Sequence, residues 1–160
     1  LRLLAHLIKW ISGNIYRPRY QELYDFFSAL NTSSFKARTL GGVIARSLSD
    51  KSIVLRREPS IPKFISEIPS RNFKWDGRWS VSLTANQLGI NEKIGPLGYN
   101  GLAQIQENFS ISMPTEGLRS VPSLFCNEKV IASPILNFGK GFKCKLIYTK
   151  YELINSLNTH

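Results

Sequence analysis

The 160-residue chain has few of the residues that most enzymes use for chemistry. It contains two cysteines, two histidines and one methionine. Two cysteines without further cysteines or clustered histidines predict reduced structural thiols rather than a zinc site. His6 lies inside an apolar helical pattern and is expected to be packed. His160 is the last residue and is expected to be disordered.

Long apolar runs and carboxylate clusters are also missing. No apolar run approaches the roughly 20 residues of a membrane-spanning helix. The acidic residues show neither metal-ligand spacing nor an acid/base pair, and Cys126 has no histidine near it in the sequence. The segment Gly95–Gly101 is rich in glycine but lacks the Lys-Ser/Thr that follows a phosphate-binding loop. We therefore predict a binding or accessory segment without catalytic, cofactor or metal residues.

Positive charge is abundant. The net charge is +10 and the pI about 9.9, which predicts nucleic acid, an acidic partner or an anionic surface as the binding partner. Residues 33–72 carry eight basic against three acidic side chains, a balance of +5, and residues 121–160 carry five against two, a balance of +3. Residues 73–120 carry four of each. If the fold joins the two basic regions, they form a phosphate-facing surface; the alternative is scattered solubilising charge.

The apolar pattern predicts an α+β fold, with an N-terminal helical hairpin packed on a small, mainly antiparallel β domain with short helices. Residues 1–34 carry two helical stripes, residues 35–150 form the β-rich domain, and residues 151–160 form a short helical or frayed tail. The chain begins with Leu1 and its only methionine is Met113, so we expect it to be the C-terminal part of a longer protein.

Within the β-rich region, the spacing predicts strands over 39–46, 53–57, 123–126, 130–134 and 142–148, and helical turns over 63–68, 102–108 and 114–119. In the second helix, Tyr20, Leu23, Tyr24, Phe27 and Leu30 are predicted to form the apolar face. The alternating lysines of the last strand predict a half-exposed edge.

The stretch from Phe73 to Leu83 predicts a hairpin around an Asp-Gly turn. A two-residue loop would place Trp75 and Trp79 on opposite faces. A three-residue loop, Asp76-Gly77-Arg78, would pair them and place both rings on one apolar face. We favour the second register, which makes Trp75, Asp76, Gly77, Arg78 and Trp79 a structural motif, although the turn type stays open.

A series of short motifs along the chain carries a family resemblance. The motifs are Thr39-Leu40-Gly41-Gly42, Arg57-Glu58-Pro59, Trp75-Asp76-Gly77-Arg78-Trp79, Leu97-Gly98 with Gly101, Pro114, Arg119 with Val121-Pro122-Ser123-Leu124-Phe125, and Val130-Ile131-Ala132-Ser133-Pro134. In this order they resemble the C-terminal half of bacterial tRNA(Ile)-lysidine synthetases, especially the alphaproteobacterial type, over residues 17–136.

The resemblance implies a cytoplasmic ATP-dependent ligase that adenylates the wobble cytidine of a minor isoleucine tRNA and attaches lysine. Its ATP site, with magnesium, is an N-terminal Ser-Gly-Gly-x-Asp-Ser loop that nothing in this chain matches. The resemblance thus implies an accessory segment that is inactive alone. Its expected partners are tRNA(Ile) and the catalytic domain of the same chain, with no membrane and no DNA.

We predict phosphate contacts for nine basic residues. The alternative for each is a solvated surface position without such a contact. The residues are Arg17, Arg19, Arg38, Arg46, Arg56, Arg57, Lys140, Lys143 and Lys145. Arg57 has the further alternative of an internal ion pair. Tyr99 is a candidate for stacking on an unpaired base. Two competing hypotheses remain: a protein-interaction or structural module, and a general RNA-binding module unrelated to the family.

Overall fold

The computed structural model describes residues 1–68, 70–85, 88–106 and 115–158, and within them it has the predicted α+β class. The helices are α1 (Arg2–Ser12), α2 (Tyr20–Leu30), α3 (Gly98–Gln106), α4 (Thr115–Leu118) and α5 (Lys150–Asn158). A single 3-10 turn spans Pro134–Leu136. The prediction for His160 lies outside the described residues.

Ten strands form three antiparallel sheets in these ranges. The first sheet has the order β1-β2-β3, the second β10-β5-β4 and the third β6-β7-β8-β9. The strands are β1 (Ala37–Leu40), β2 (Val43–Ser47), β3 (Ile53–Arg57), β4 (Asn72–Trp75), β5 (Trp79–Leu83), β6 (Glu92–Pro96), β7 (Pro122–Cys126), β8 (Lys129–Ser133), β9 (Phe138–Gly139) and β10 (Phe142–Leu146).

The chain divides by its contacts into two units. The first comprises Leu1–Glu58 with the residues from Tyr148 onward, and the second is Pro59–Ile147. This division differs from the boundary predicted after residue 34. The physical reason is that β1–β3 share one core with the helices, built on Ile8, Phe26 and Val43.

In the first unit, helices α1 and α2 both pack on the β1–β3 sheet. Helix α1 ends at Gly13, whose positive φ of 72° and N–H bond to the Lys9 carbonyl cap the last turn. Helix α1 contacts β3 and α5 as well as α2, so the helices do not stand apart as a hairpin. Residues Lys150–Asn158 form a helix, the first of the two alternatives predicted for the tail.

The predicted apolar face of α2 is partly wrong. Leu23 and Phe26 are the buried residues of this helix, whereas Tyr20, Tyr24 and Phe27 are exposed. With about 3.6 residues per turn, Tyr20 and Tyr24 lie about 90° and about 130° around the helix from the midpoint of Leu23 and Phe26, so turning that midpoint toward the sheet leaves both outside. Their rings stack on each other with centroids 6.3 Å apart.

The single strand predicted over residues 39–46 is a hairpin instead. Gly41 and Gly42 have φ values of 58° and 80°, and Leu40 pairs with Val43 across them. Positive φ at both central residues is the geometry of the tight turns that join antiparallel strands, and glycine adopts it at little cost. The Gly-Gly pair thus reverses the chain, and β1 is an additional edge strand.

The second unit packs β4, β5 and β10 against β6–β9 and α3 through one core, which includes Trp75, Trp79, Ile94 and Phe125. The helical turn predicted over 63–68 is wrong, because Ile65 instead forms a β-bridge with Ile94. Helix α3 covers residues 102–106 of the helical turn predicted over 102–108, and the rest of that prediction lies outside the described residues. Strand β6 was not predicted.

Candidate nucleic-acid interface

The sheet β10-β5-β4 has one apolar and one basic face. Strand side chains alternate between faces, so burying Trp75, Trp79 and Val81 turns their neighbours outward. The register aligns these outward residues in two rows across the three strands. We call the outward residues the lysine face: Asn72, Lys74, Ser80, Ser82, Lys143 and Lys145.

Each row of the lysine face crosses all three strands. One row joins Lys74, Ser80 and Lys145, and the other joins Asn72, Ser82 and Lys143. Residues two apart on a strand are separated by about 6.7 Å, and neighbouring strands by about 4.8 Å. All three lysines are exposed, and neither row contains Asp or Glu. Ammonium and hydroxyl groups such as those of these rows are suited to phosphate oxygens.

Lys140, the third basic candidate near β10, lies outside these rows. It sits in the turn between β9 and β10, flanked by Gly139 and Gly141, and is exposed. It lines a cavity of about 280 Å³ together with Leu83, Glu92 and other residues. The structure therefore brings together Lys143 and Lys145 with Lys74, which was not among the candidates.

The arginines predicted in the first sheet divide between its two faces. The register aligns Arg46 with Val54, and Ile44 with Arg56, so Arg46 and Arg56 lie on the face opposite the helices. Arg38 and Arg57 lie on the helix-packed face, where Arg38 is exposed on the edge strand β1.

Arg57 serves an internal contact. Its side chain is 6% exposed, and Nη1 donates to the carbonyl of Gly42 at 3.1 Å. A phosphate at this position would have to displace that bond inside the fold. Arg57 is therefore an internal residue of the first unit and not a phosphate contact on its surface.

Arg17 and Arg19 lie in the connection between α1 and α2, and both are exposed. Arg19 caps α2, and its backbone N–H donates to Glu22 Oε2 at 3.4 Å. Arg17 lines a cavity of the first unit. The structure places these two arginines on a different unit from the lysine face.

Tyr99, the candidate for base stacking, opens helix α3 and is 64% exposed. The Arg119 guanidinium lies over its ring, with Cζ 3.5 Å from the ring centroid. This cation–π contact covers one face of the ring and fixes its orientation. The sequence gives no signal for this pair, because the two residues are twenty positions apart.

The tryptophan hairpin has the predicted three-residue register, with Trp75 paired to Trp79 and Phe73 to Val81. Asp76 and Gly77 have positive φ values of 50° and 67°, and Arg78 N donates to Trp75 O at 3.2 Å. Two positive-φ central residues are typical of a type I′ turn, and Arg78 is then one extra residue before pairing begins. Both indole rings are buried.

The described part of the chain contains no cluster of three or more His, Cys, Asp or Glu side chains suited to a metal ion. Among these residues, no helix has the length and apolar character needed to cross a membrane. Cys126 and Cys144 are free thiols, and burial raises the pKa of Cys144 to about 11.

Comparison with known proteins supports the resemblance found in the sequence. The chain is 24% identical over 159 residues to a tRNA(Ile)-lysidine synthase of Ruegeria pomeroyi. The match covers 99% of this chain and 36% of that protein, so the chain spans about a third of the relative's length. No protein-family model and no solved structure matches the chain.

Proposed function

We propose that this chain is the tRNA-recognition segment of a tRNA(Ile)-lysidine synthase. In this proposal the whole protein is the cytoplasmic ATP-dependent ligase that converts the wobble cytidine of a minor isoleucine tRNA to lysidine. Similarity along nearly the whole chain to a protein of that name supports the proposal. The relative extends well beyond the matched region, which is consistent with a segment of a larger enzyme.

The lysine face is the observation that carries the RNA-binding role. Lys74, Lys143 and Lys145 project from a rigid sheet whose opposite face is core. Helical RNA is recognised mainly by shape, through contacts to phosphates and 2′-hydroxyls. The lysine ammonium groups bind phosphates, while Ser80 and Ser82 have hydroxyls suited to the 2′-hydroxyls.

Catalysis is assigned to the rest of the enzyme. No segment of this chain matches the family's Ser-Gly-Gly-x-Asp-Ser loop, so we expect the ATP and magnesium of catalysis to bind in the rest of the enzyme. We therefore expect the segment to form no lysidine alone and to act with the catalytic domain of the same chain.

The test is equilibrium binding of the 160-residue chain to an isoleucine tRNA transcript over a series of salt concentrations. Binding through phosphates predicts a linear fall of log affinity with log salt, with a slope set by the number of contacts. Lysidine formation by the chain is measured in parallel with ATP and lysine. Absence of tRNA binding even at low salt would refute the RNA-recognition role.

The exposed aromatic face of α2 favours a second candidate, a protein-interaction module. Tyr20, Tyr24 and Phe27 recur at helical spacing and are 69%, 48% and 42% exposed. A row of exposed aromatic side chains is typical of contact surfaces between proteins. Under this candidate, Tyr24→Ser weakens assembly with the catalytic domain and leaves tRNA binding by the segment unchanged. Loss of tRNA binding in that variant would count against it.

A further inference from the structure

A cavity of about 450 Å³ lies in the first unit, where α1 contacts α5. Its lining combines cationic, aromatic and amide side chains with one carboxylate. The residues that matter here are Lys9, Trp10, Asn14, Arg17, Tyr148 and Glu152. Small-molecule sites in proteins commonly have volumes of roughly 300–1,000 Å³, and this cavity falls within that range.

His6 also lines the cavity, and its hydrogen bond identifies its neutral form. Nδ1 lies 3.0 Å from Ser156 Oγ, and Ser156 Oγ donates to the Leu153 carbonyl at 2.8 Å. Because a hydroxyl has only one hydrogen, Nδ1–H must donate to Ser156. The neutral tautomer therefore carries its hydrogen on Nδ1.

The charges around His6 favour an anion. Burial lowers the pKa of His6, and the nearby cations Arg17, Arg2 and Lys9 lower it further, so the ring is neutral at pH 7. The carboxylate of Glu152 accepts the Thr149 backbone N–H at the start of α5. Lys9 and Arg17 line the same cavity, so two cationic side chains stand against this one carboxylate.

An aromatic side chain, that of Trp10, lines the same cavity as these cations. Trp10 Nε1 donates to the Tyr148 carbonyl at 3.1 Å, which fixes the indole at the cavity wall. An indole and two cations that line one cavity match a ligand that has both a phosphate and a planar base. We propose that this cavity binds a nucleoside phosphate, with the phosphate on Lys9 and Arg17 and the base against Trp10.

This site shares no residue with the lysine face, and the proposal does not depend on the proposed tRNA role. A nucleoside phosphate has two possible sources: a free nucleotide, or an unpaired nucleotide within RNA. Both present the same phosphate and base chemistry to Lys9, Arg17 and Trp10. The experiment therefore includes an arm for each.

Tryptophan fluorescence of the full 160-residue chain reports on this cavity. Trp75 and Trp79 are 3% and 6% exposed and lie in the other unit, so a nucleotide at the cavity acts on Trp10. We expect AMP and CMP to change the emission saturably, after correction for absorption by the base. Lys9→Gln and Arg17→Gln should each weaken binding about tenfold, as expected for one charged hydrogen bond.

The matched control is Lys36→Gln, which removes the same charge from an exposed site of the first unit outside the cavity lining. It should leave the affinity unchanged. Trp10→Phe should remove the fluorescence signal, while calorimetry still detects weakened binding. Thermal unfolding of each variant verifies that it is folded.

Three ligands complete the test. Uncharged cytidine and inorganic phosphate should each bind more weakly than CMP, because each lacks one half of the recognised group. A short 5′-phosphorylated RNA that competes with CMP identifies RNA as a source, and a lack of competition identifies the free nucleotide. No saturable change with any nucleotide, phosphate binding as tight as CMP, or an equal loss in Lys36→Gln would overturn the proposal. Loss of tRNA binding alone would not affect it.

Discussion

The guanidinium of Arg78 forms an ion pair with Asp76, with Nε 2.7 Å from Oδ2, inside the loop of the tryptophan hairpin. The same guanidinium donates from Nη2 to the Ser120 carbonyl at 3.0 Å. The two side chains are only 11% and 4% exposed. Arg78 therefore ties the hairpin to the segment that leads into β7, and its role here is structural.

Arg78→Ala is expected to lower the free energy of unfolding by about 3 kcal/mol, because it leaves the buried Asp76 carboxylate without its cation. Urea denaturation measures the loss. Combining Arg78→Ala with Asp76→Asn in a double-mutant cycle should show a coupling well above the value for exposed pairs. A loss no larger than that of Lys74→Ala on the exposed face would contradict the structural role.

Replacing Lys74, Lys143 and Lys145 together by Gln is expected to weaken tRNA binding and to reduce the slope of log affinity against log salt by about 1 per phosphate contact removed. The control replaces Lys51, Lys63 and Lys129, which are exposed and lie outside the lysine face. Both triple variants lose the same charge. An equal effect on the slope would show that only net charge matters, and not the lysine face.

Gly139→Ala is expected to destabilise the fold by about 2 kcal/mol or more, because its φ of +64° strains any side chain and a Cβ there would collide with the Ile131 carbonyl. Gly117→Ala is the matched control, since no atom lies within 4 Å of a Cβ at that position. Gly117 also lies in helix α4, where Ala is favoured over Gly. In thermal unfolding, Gly139→Ala should therefore have a lower melting temperature than the parent chain, and Gly117→Ala a higher one. A Gly139→Ala variant as stable as the parent chain would contradict the turn geometry.

Cys144 is expected to react slowly with iodoacetamide near neutral pH, since burial raises its pKa to about 11 from the ordinary 9.0. Its modification, followed by mass spectrometry, should accelerate strongly when the chain is unfolded in urea. The raised pKa also has a stability consequence. The unfolded thiol ionises first, so the free energy of unfolding falls as pH rises from about 9 to about 11.

Cys144→Ala should reduce the fall in stability over this pH range, because alanine cannot ionise. Denaturation curves at several pH values give the comparison. Fast modification of Cys144 in the native chain at pH 8 would be inconsistent with its position beside Val81 on the apolar side of the sheet.

Much of the fold followed from local patterns. The Asp-Gly turn and the alternation around Trp75 and Trp79 predicted the correct register, because strand side chains alternate strictly between two faces. The edge position of β10 was also predicted. The turn at Gly41-Gly42 was not predicted, because a glycine pair permits either a flexible entry into a strand or a reversal of the chain.

The candidate site was less predictable. Lys143 and Lys145 were identified from alternation within one strand, but Lys74 joins them only through the pairing of β4, β5 and β10. Arg57 and Arg56 are neighbours in the sequence, and the sheet places them on opposite faces. The cavity at Lys9 and Trp10 required α5 to pack on α1, which no periodicity within either helix encodes.

Residue patterns alone were enough to predict the α+β class, the tryptophan hairpin, the strongly basic character and the resemblance to tRNA(Ile)-lysidine synthases. These properties depend on composition, short-range periodicity and motif order, all of which are local. These patterns did not show which basic side chains share a surface and which are internal; the folded arrangement was needed for that. The reason is that strand pairing and helix packing join residues far apart in the chain, and their register is set by how the two apolar cores are filled.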